Sequence, residues 1–124
     1  MKVLIVDDAA FMRFTIKAML VKNGIEVIGE AENGVTGIKK YQELKPDVVT
    51  MDITMPDLSG IEALAEIIKF DPKAKVIMLS AMGQEGMVRD AMLQGAFSFI
   101  VKPFREDHLI KTISKIAAAN GYIA

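Results

Sequence analysis

The chain has 124 residues, 52% of them hydrophobic, with 15 Lys+Arg against 16 Asp+Glu and no cysteine. That length suits one domain with a full core, and a net charge of −1 argues against a surface built to coat nucleic acid. The missing cysteine excludes disulfides, thiolate metal sites and a catalytic thiol.

The start, MKVLIVDD, is too short an apolar run for a signal peptide, and no run approaches a membrane span, so a soluble cytoplasmic protein is expected. KVLIV (2–6) reads as the first strand. In 10–23, Met12, Ile16, Met19 and Leu20 share one helical face, and Gly24 stops the helix. IEVIGEA (25–31) is the second strand, and Glu32-Asn33-Gly34 reads as a turn. Helix 34–44 ends before Lys45-Pro46, because the residue before proline is biased away from helix. DVVTM (47–51) is the third strand; Ser59 can cap helix 60–69, which Asp71-Pro72 closes. KVIML (75–79), helix 85–94 stopped by Gly95, FSFIV (97–101) and helix 105–119 follow, the last with Leu109, Ile110, Ile113 and Ile116 at helical spacing. Residues 120–124 read as a tail.

All strands but the second are nearly continuous in apolar residues, the pattern of strands covered by helices on both faces. The alternation predicts an α/β fold, (βα)₅, with a doubly wound parallel five-stranded sheet in a single domain spanning 1–124. Sites in such sheets gather at the carboxyl ends of the strands. There the sequence places Asp7-Asp8, Asp52, Ser80-Ala81 and Lys102-Pro103. A buried carboxylate is expensive unless paired or metal-bound, so Asp52, at the end of an apolar strand, draws attention first.

Three clustered carboxylates cannot all be ionised without a cation, and oxygen-only ligands suit a hard ion such as Mg²⁺. A carboxylate can also act as a nucleophile and carry a phosphoryl group, a transfer that needs mainly positioning and charge neutralisation. Lys102 would supply part of that charge, and the Ser80 hydroxyl could donate to a phosphate oxygen. Each residue alone has a plainer reading. Asp7-Asp8 could be a turn and helix cap, Asp52 an Asx-turn before Pro56, Ser80 a turn residue and Lys102 a solvated charge. Met51, Met55, Met78 and Met82 read as core or loop packing, and His108, the only histidine, as surface. The functional reading rests on the agreement of all four strand ends.

VLIVDD, DITMPDLSG, Ser80-Ala81 and FIVKPF together resemble the receiver domain of bacterial two-component response regulators, over about residues 2–118. DDAAFMR, VTMDITMP, SAMGQ and FIVKPF are most similar to stand-alone chemotaxis response regulators of the CheY type. The resemblance implies strand order 2-1-3-4-5. It implies Asp52 as phospho-acceptor from a phosphohistidine on a histidine kinase, and direct Mg²⁺ ligation by Asp8, Asp52 and the Thr54 carbonyl. Asp7 would act through water or as a weaker ligand. Ser80 and Lys102 would contact the phosphoryl group, and Ser80 and Phe99 would form the switch. It also implies a cis Lys102-Pro103 bond, which sequence alone would put at about 5%. Phe99 stands where the family often has tyrosine, so its ring can bury but has no hydroxyl to bond outward.

The expected function is a phosphorylation-controlled switch, not an enzyme beyond its own phosphoryl chemistry. It would act as a monomer without direct nucleic-acid or membrane contact, and bind a target such as the flagellar switch through residues 85–119. Water attacking phospho-Asp52 would pass Thr54 and Met82, neither of which carries a carboxylate or amide to orient it. Slow loss of the phosphoryl group and a separate phosphatase follow from that. The alternatives are a phosphorelay intermediate, a receiver cut from a longer DNA-binding regulator (which residues 120–124 disfavour) and, from another class, an Asp-nucleophile Mg²⁺ phosphatase. A flavodoxin-type cofactor binder ranks last, since Asp7-Asp8 would repel its phosphate.

Overall fold

The structure, a computed structural model, describes residues 1–120. Strands and helices alternate in the order β1 (Lys2–Val6), α1 (Ala10–Lys22), β2 (Glu26–Ala31), α2 (Gly34–Leu44), β3 (Val48–Asp52), α3 (Gly60–Phe70), β4 (Val76–Ser80), α4 (Glu85–Leu93), β5 (Ser98–Val101) and α5 (Glu106–Ala119). The strands form one parallel sheet in the order β2-β1-β3-β4-β5, as expected, with boundaries within one residue of the sequence reading. The expected tail lies outside the described residues apart from Asn120, whose N–H closes α5 on the Ile116 carbonyl at 2.9 Å.

Strand alternation divides the core in two. Leu4, Val6, Val49, Met51 and Met78 pack with Leu64, Ile67, Val88 and Ala91 of α3 and α4. Val3, Ile5, Val48, Ile77, Leu79 and Ile100 face Ile16 and Leu20 of α1 and Leu109, Ile113 and Ile116 of α5. Each fully buried Leu or Ile contributes about 1.5–3 kcal/mol, and β1, β3 and β4 are apolar on both faces for this reason. β5 departs from the expectation. It is an edge strand on which Phe99 and Val101 are exposed and Ile100 alone is fully buried. A continuous apolar run marks burial on both faces only where a neighbour covers each face, and the groove between β5 and α4 leaves one open.

Local signals explain the element ends. Ser59 and Glu62 form a capping box at α3, with bonds of 3.1 and 3.2 Å. Asn33 caps α2 through the Thr36 N–H at 2.8 Å, so the expected turn doubles as a helix start. Gly24 ends α1 at a φ of 75°, where a Cβ would be strained. The Tyr41 hydroxyl donates to Asp71 Oδ2 at 2.7 Å, tying α2 to the end of α3.

Thr50 is a core residue at odds with its surroundings. It is fully buried between Ile5 and Ile77 in the sheet register, and its hydroxyl has no protein partner. An unsatisfied buried hydroxyl costs about 1–3 kcal/mol, whereas an apolar replacement of the same shape can be neutral or stabilising. Thr50→Val is therefore expected to raise the urea unfolding free energy by about 1 kcal/mol; a lowered midpoint would show that the hydroxyl is satisfied in solution.

Candidate functional site

The sheet delivers its charged residues to one rim. Asp7 leaves β1 with its N–H bonded to the Ala31 carbonyl at 3.0 Å. Its carboxylate, fully buried, accepts from the Ala9 N–H at 2.9 Å and from Lys102 Nζ at 3.1 Å. The same Lys102 ammonium lies 3.4 Å from Asp52 Oδ1. Lys102 is itself fixed by its main-chain N–H on the Ser80 carbonyl at 2.7 Å, next to a cis Lys102–Pro103 bond. Asp8 is exposed, and one oxygen each of Asp7, Asp8 and Asp52 fall within 4.8 Å of one another. Two of the plainer readings do not hold: α1 has no side-chain cap, and Lys102 is partly buried between two carboxylates; the Asp7 carboxylate does make the expected turn, through its bond from the Ala9 N–H.

One lysine pairs with two of the three carboxylates, and the electrostatics follow. Burial pushes the Asp52 carboxyl up from 3.8 to about 6; Lys102 opposes the rise, and Asp7 and Asp8 reinforce it. Oxygen-only donors, one of them open to solvent and together under-neutralised, fit a hard divalent cation.

Two features hold the loop that follows Asp52. A Cβ at Gly60 would come within 2.0 Å of the Asp52 carbonyl oxygen, so only glycine allows the chain to fold back there, where the Gly60 N–H donates to the Ile53 carbonyl at 2.6 Å. Asp57 accepts from the Gly34 and Val35 N–H groups at 3.1 and 3.2 Å, clamping the loop to the start of α2. Thr54 is exposed beyond Asp52, and its hydroxyl accepts from Gln84 Nε2 at 2.9 Å. Behind Asp7, Arg13 Nη1 donates to the Asp7 carbonyl at 2.6 Å and its Nε pairs with Glu30 at 3.4 Å.

The Ser80 hydroxyl is fully buried at the end of β4 with no protein partner. A groove of about 620 Å³ opens beside it, walled by Met82, Val88, Met92, Phe99 and Val101. Phe99 is 42% exposed, so its ring is not fixed core. Met51, Met55 and Met78 are buried as expected, but Met82, in the loop after β4, is 78% exposed. His108 is on the surface.

Sequence reasoning missed Gln84, Asp57 and Arg13. Asp57 and Gln84 act on partners 22–30 residues away, and no local pattern marks such a pairing. Gln84 also alters one inference, since it brings a carboxamide beside Thr54 where none was expected.

Residues 3–114 match the response regulator receiver domain. The chain belongs to this family of phosphorylation-activated signalling switches. It is 57% identical over 117 residues to the chemotaxis protein CheY of Listeria monocytogenes, covering 94% of this chain and 98% of that one. It is 59% identical over 114 residues to CheY of Bacillus subtilis, covering 92% and 95%. Among solved structures it is similar to a chain of the CheX–CheY–BeF3–Mg complex from Borrelia burgdorferi, with a TM-score of 0.88 and 38% identity over 93% of this chain and 87% of that one. The receiver domain protein from Clostridium thermocellum gives a TM-score of 0.92 at 33% identity, covering 97% and 96%.

The crowded acids predict a stability profile for the metal-free protein. Asp52 binds its proton more tightly folded than unfolded, so between about pH 4 and 6 the native state holds more protons and stability falls as pH rises. Asp52→Asn is expected to abolish that fall and to be more stable than the parent at pH 7.5 by on the order of 2 kcal/mol, with little difference at pH 4. Asp8→Ala should likewise raise the metal-free melting temperature, by roughly 4 °C for about 1 kcal/mol, and remove stabilisation by Mg²⁺. Equal urea midpoints at both pH values for parent and Asp52→Asn would mean that Asp52 ionises freely in the fold.

Proposed function

We propose that Asp52 accepts a phosphoryl group from a phosphohistidine of a histidine kinase, and that the resulting charge resets the surface formed by α4, β5 and α5. The observation that carries this reading is the single Lys102 ammonium shared by Asp7 and Asp52 at 3.1 and 3.4 Å. It is a site short of positive charge around one nearly buried carboxylate. Asp8, Asp52 and the Thr54 carbonyl would hold Mg²⁺, with Asp7 acting more weakly or through water. When bound, the ion would neutralise the carboxylates and the transferring phosphoryl oxygens. The crystallisation of the Borrelia relative with BeF3 and Mg supports the ion.

An Asp52 oxygen forms the new P–O bond while the donor's P–N bond breaks, and the imidazole leaves with the electron pair. Lys102 meets the charge arriving on the phosphoryl oxygens, and the unpartnered Ser80 hydroxyl is the neutral donor able to turn toward them. Movement of Ser80 would vacate space at the head of the groove, into which the exposed Phe99 ring can rotate. The chain would work as a single-domain cytoplasmic monomer whose output is a protein target on the 85–119 face. The relatives' role in chemotaxis supports the flagellar switch as that target, and the CheX complex of the Borrelia relative supports a further protein partner. Among the described residues no helix is long and apolar enough to cross a membrane.

Intact mass after incubation with acetyl phosphate should show one added phosphoryl group, lost when EDTA is present and absent in Asp52→Asn. Gain of that mass by Asp52→Asn at the parent rate would exclude Asp52 as acceptor. For the output, amide NMR with Mg²⁺ and beryllofluoride should shift Ser80, 82–94 and Phe99, and Ser80→Ala should load yet shrink the distant shifts. Changes confined to 7–9, 52–55 and 102 would leave the phosphate acting by local charge alone.

A further inference from the structure

One side chain spans the rim between the ends of β3 and β4. Gln84 Oε1 accepts from the Ala81 N–H at 2.6 Å, and its Nε2 donates to Thr54 Oγ1 at 2.9 Å. Ala81 directly follows Ser80, and Thr54 lies two residues beyond Asp52. The carboxamide therefore joins the loop that follows the acceptor strand to the loop that carries the unpartnered hydroxyl. Gln84 is also the N-cap residue of α4, yet its side chain makes no cap bond. Glutamine is not a favoured cap, and here the side chain turns to the rim instead. Little else holds this loop: Met82 is 78% exposed, and Gly83 has a φ of 87° with open space around it.

We propose that Gln84 is a positioning residue that keeps the loop between β4 and α4 in its unphosphorylated setting by competing with a phosphoryl group on Asp52 for the Ala81 N–H. This rests on the reading of Asp52 as acceptor. A neutral carbonyl oxygen on a main-chain N–H at the rim is an acceptor that an anionic oxygen can replace, because charge-assisted bonds are roughly twice as strong as neutral ones. Once Gln84 Oε1 is displaced, the strap retains only its bond to Thr54, and residues 81–84 are free to follow Ser80. A residue that held both states equally would shift nothing. The competition requires that Gln84 favour the unphosphorylated state, and this separates the proposal from a plain structural staple.

The test is the affinity for beryllofluoride at saturating Mg²⁺, followed by amide NMR in the parent, Gln84→Ala and Gln84→Glu. Gln84→Ala is expected to bind about three- to tenfold tighter, the weight of one ordinary hydrogen bond removed from the competing state. Gln84→Glu should bind more weakly than the parent, since its carboxylate is a stronger acceptor for Ala81 N–H and adds negative charge near Asp52. In the metal-free protein the Ala81 amide should exchange with solvent faster in Gln84→Ala than in the parent, a readout that needs no ion. Because the Gln84 side chain makes no cap bond to α4, the alanine variant should melt close to the parent. Beryllofluoride affinity of Gln84→Ala within twofold of the parent, or weaker, overturns the competition while leaving the acceptor assignment intact. A parent that fails to bind beryllofluoride overturns the acceptor reading and this proposal with it.

Discussion

The ammonium of Lys102 sits 3.1 Å from Asp7 and 3.4 Å from Asp52, and the chemistry of the rim depends on its being, among the described residues, the one cation paired with both carboxylates. Asp7 is fully buried and Asp52 almost so. Two carboxylates withdrawn from water need compensation, and one lysine compensates them in part. A third carboxylate, Asp8, stands at the solvent edge within 4.8 Å of both. The shortfall appears in Asp52 itself, whose carboxyl burial pushes up to about 6. A site left short of positive charge fits a divalent cation, and under the proposed reading that cation would let the site accept a phosphoryl group.

The fold keeps this shortfall from relaxing. Asp52 ends a fully buried strand, and Gly60 folds back against its carbonyl where no larger residue fits. Asp57 clamps the intervening loop to the first amides of α2; slight desolvation pushes its carboxyl up, but the amides of Val35 and Gly34 outweigh this and hold it below the ordinary carboxylate range. Lys102 is held by a main-chain bond to Ser80, the residue whose hydroxyl has no protein partner. Asp52, its counter-charge Lys102 and the unpartnered Ser80 hydroxyl are therefore linked through adjacent strand ends, and Ser80 in turn borders the groove beside Phe99.

Much of this was legible in the sequence because the signals are local. Apolar runs of about five residues, helical spacing in 10–23 and 105–119, and Ser59 as a cap each act within a few residues, and the observed elements lie within one position of them. The rim followed from topology: parallel strands in this order bring Asp7, Asp8, Asp52, Ser80 and Lys102 to one edge. The exposed side of β5 was not legible, since FSFIV has the composition of a buried strand and only the gap beside α4 uncovers it. Gln84 and Asp57 were missed because their partners are set by how two loops meet in space. Arg13 lies off the apolar face of the first helix, and only the fold turns it toward Asp7 and Glu30.

The central claim is that the phosphoryl group resides on the Asp52 carboxylate as an acyl phosphate, and borohydride tests that bond directly. Reduction of the acyl phosphate converts the aspartate to homoserine, and peptide mapping then reports its position. After treatment with acetyl phosphate and Mg²⁺, homoserine is expected at position 52 and at neither Asp7 nor Asp8. Homoserine at another aspartate, or phosphorylated protein that yields none, would contradict the account.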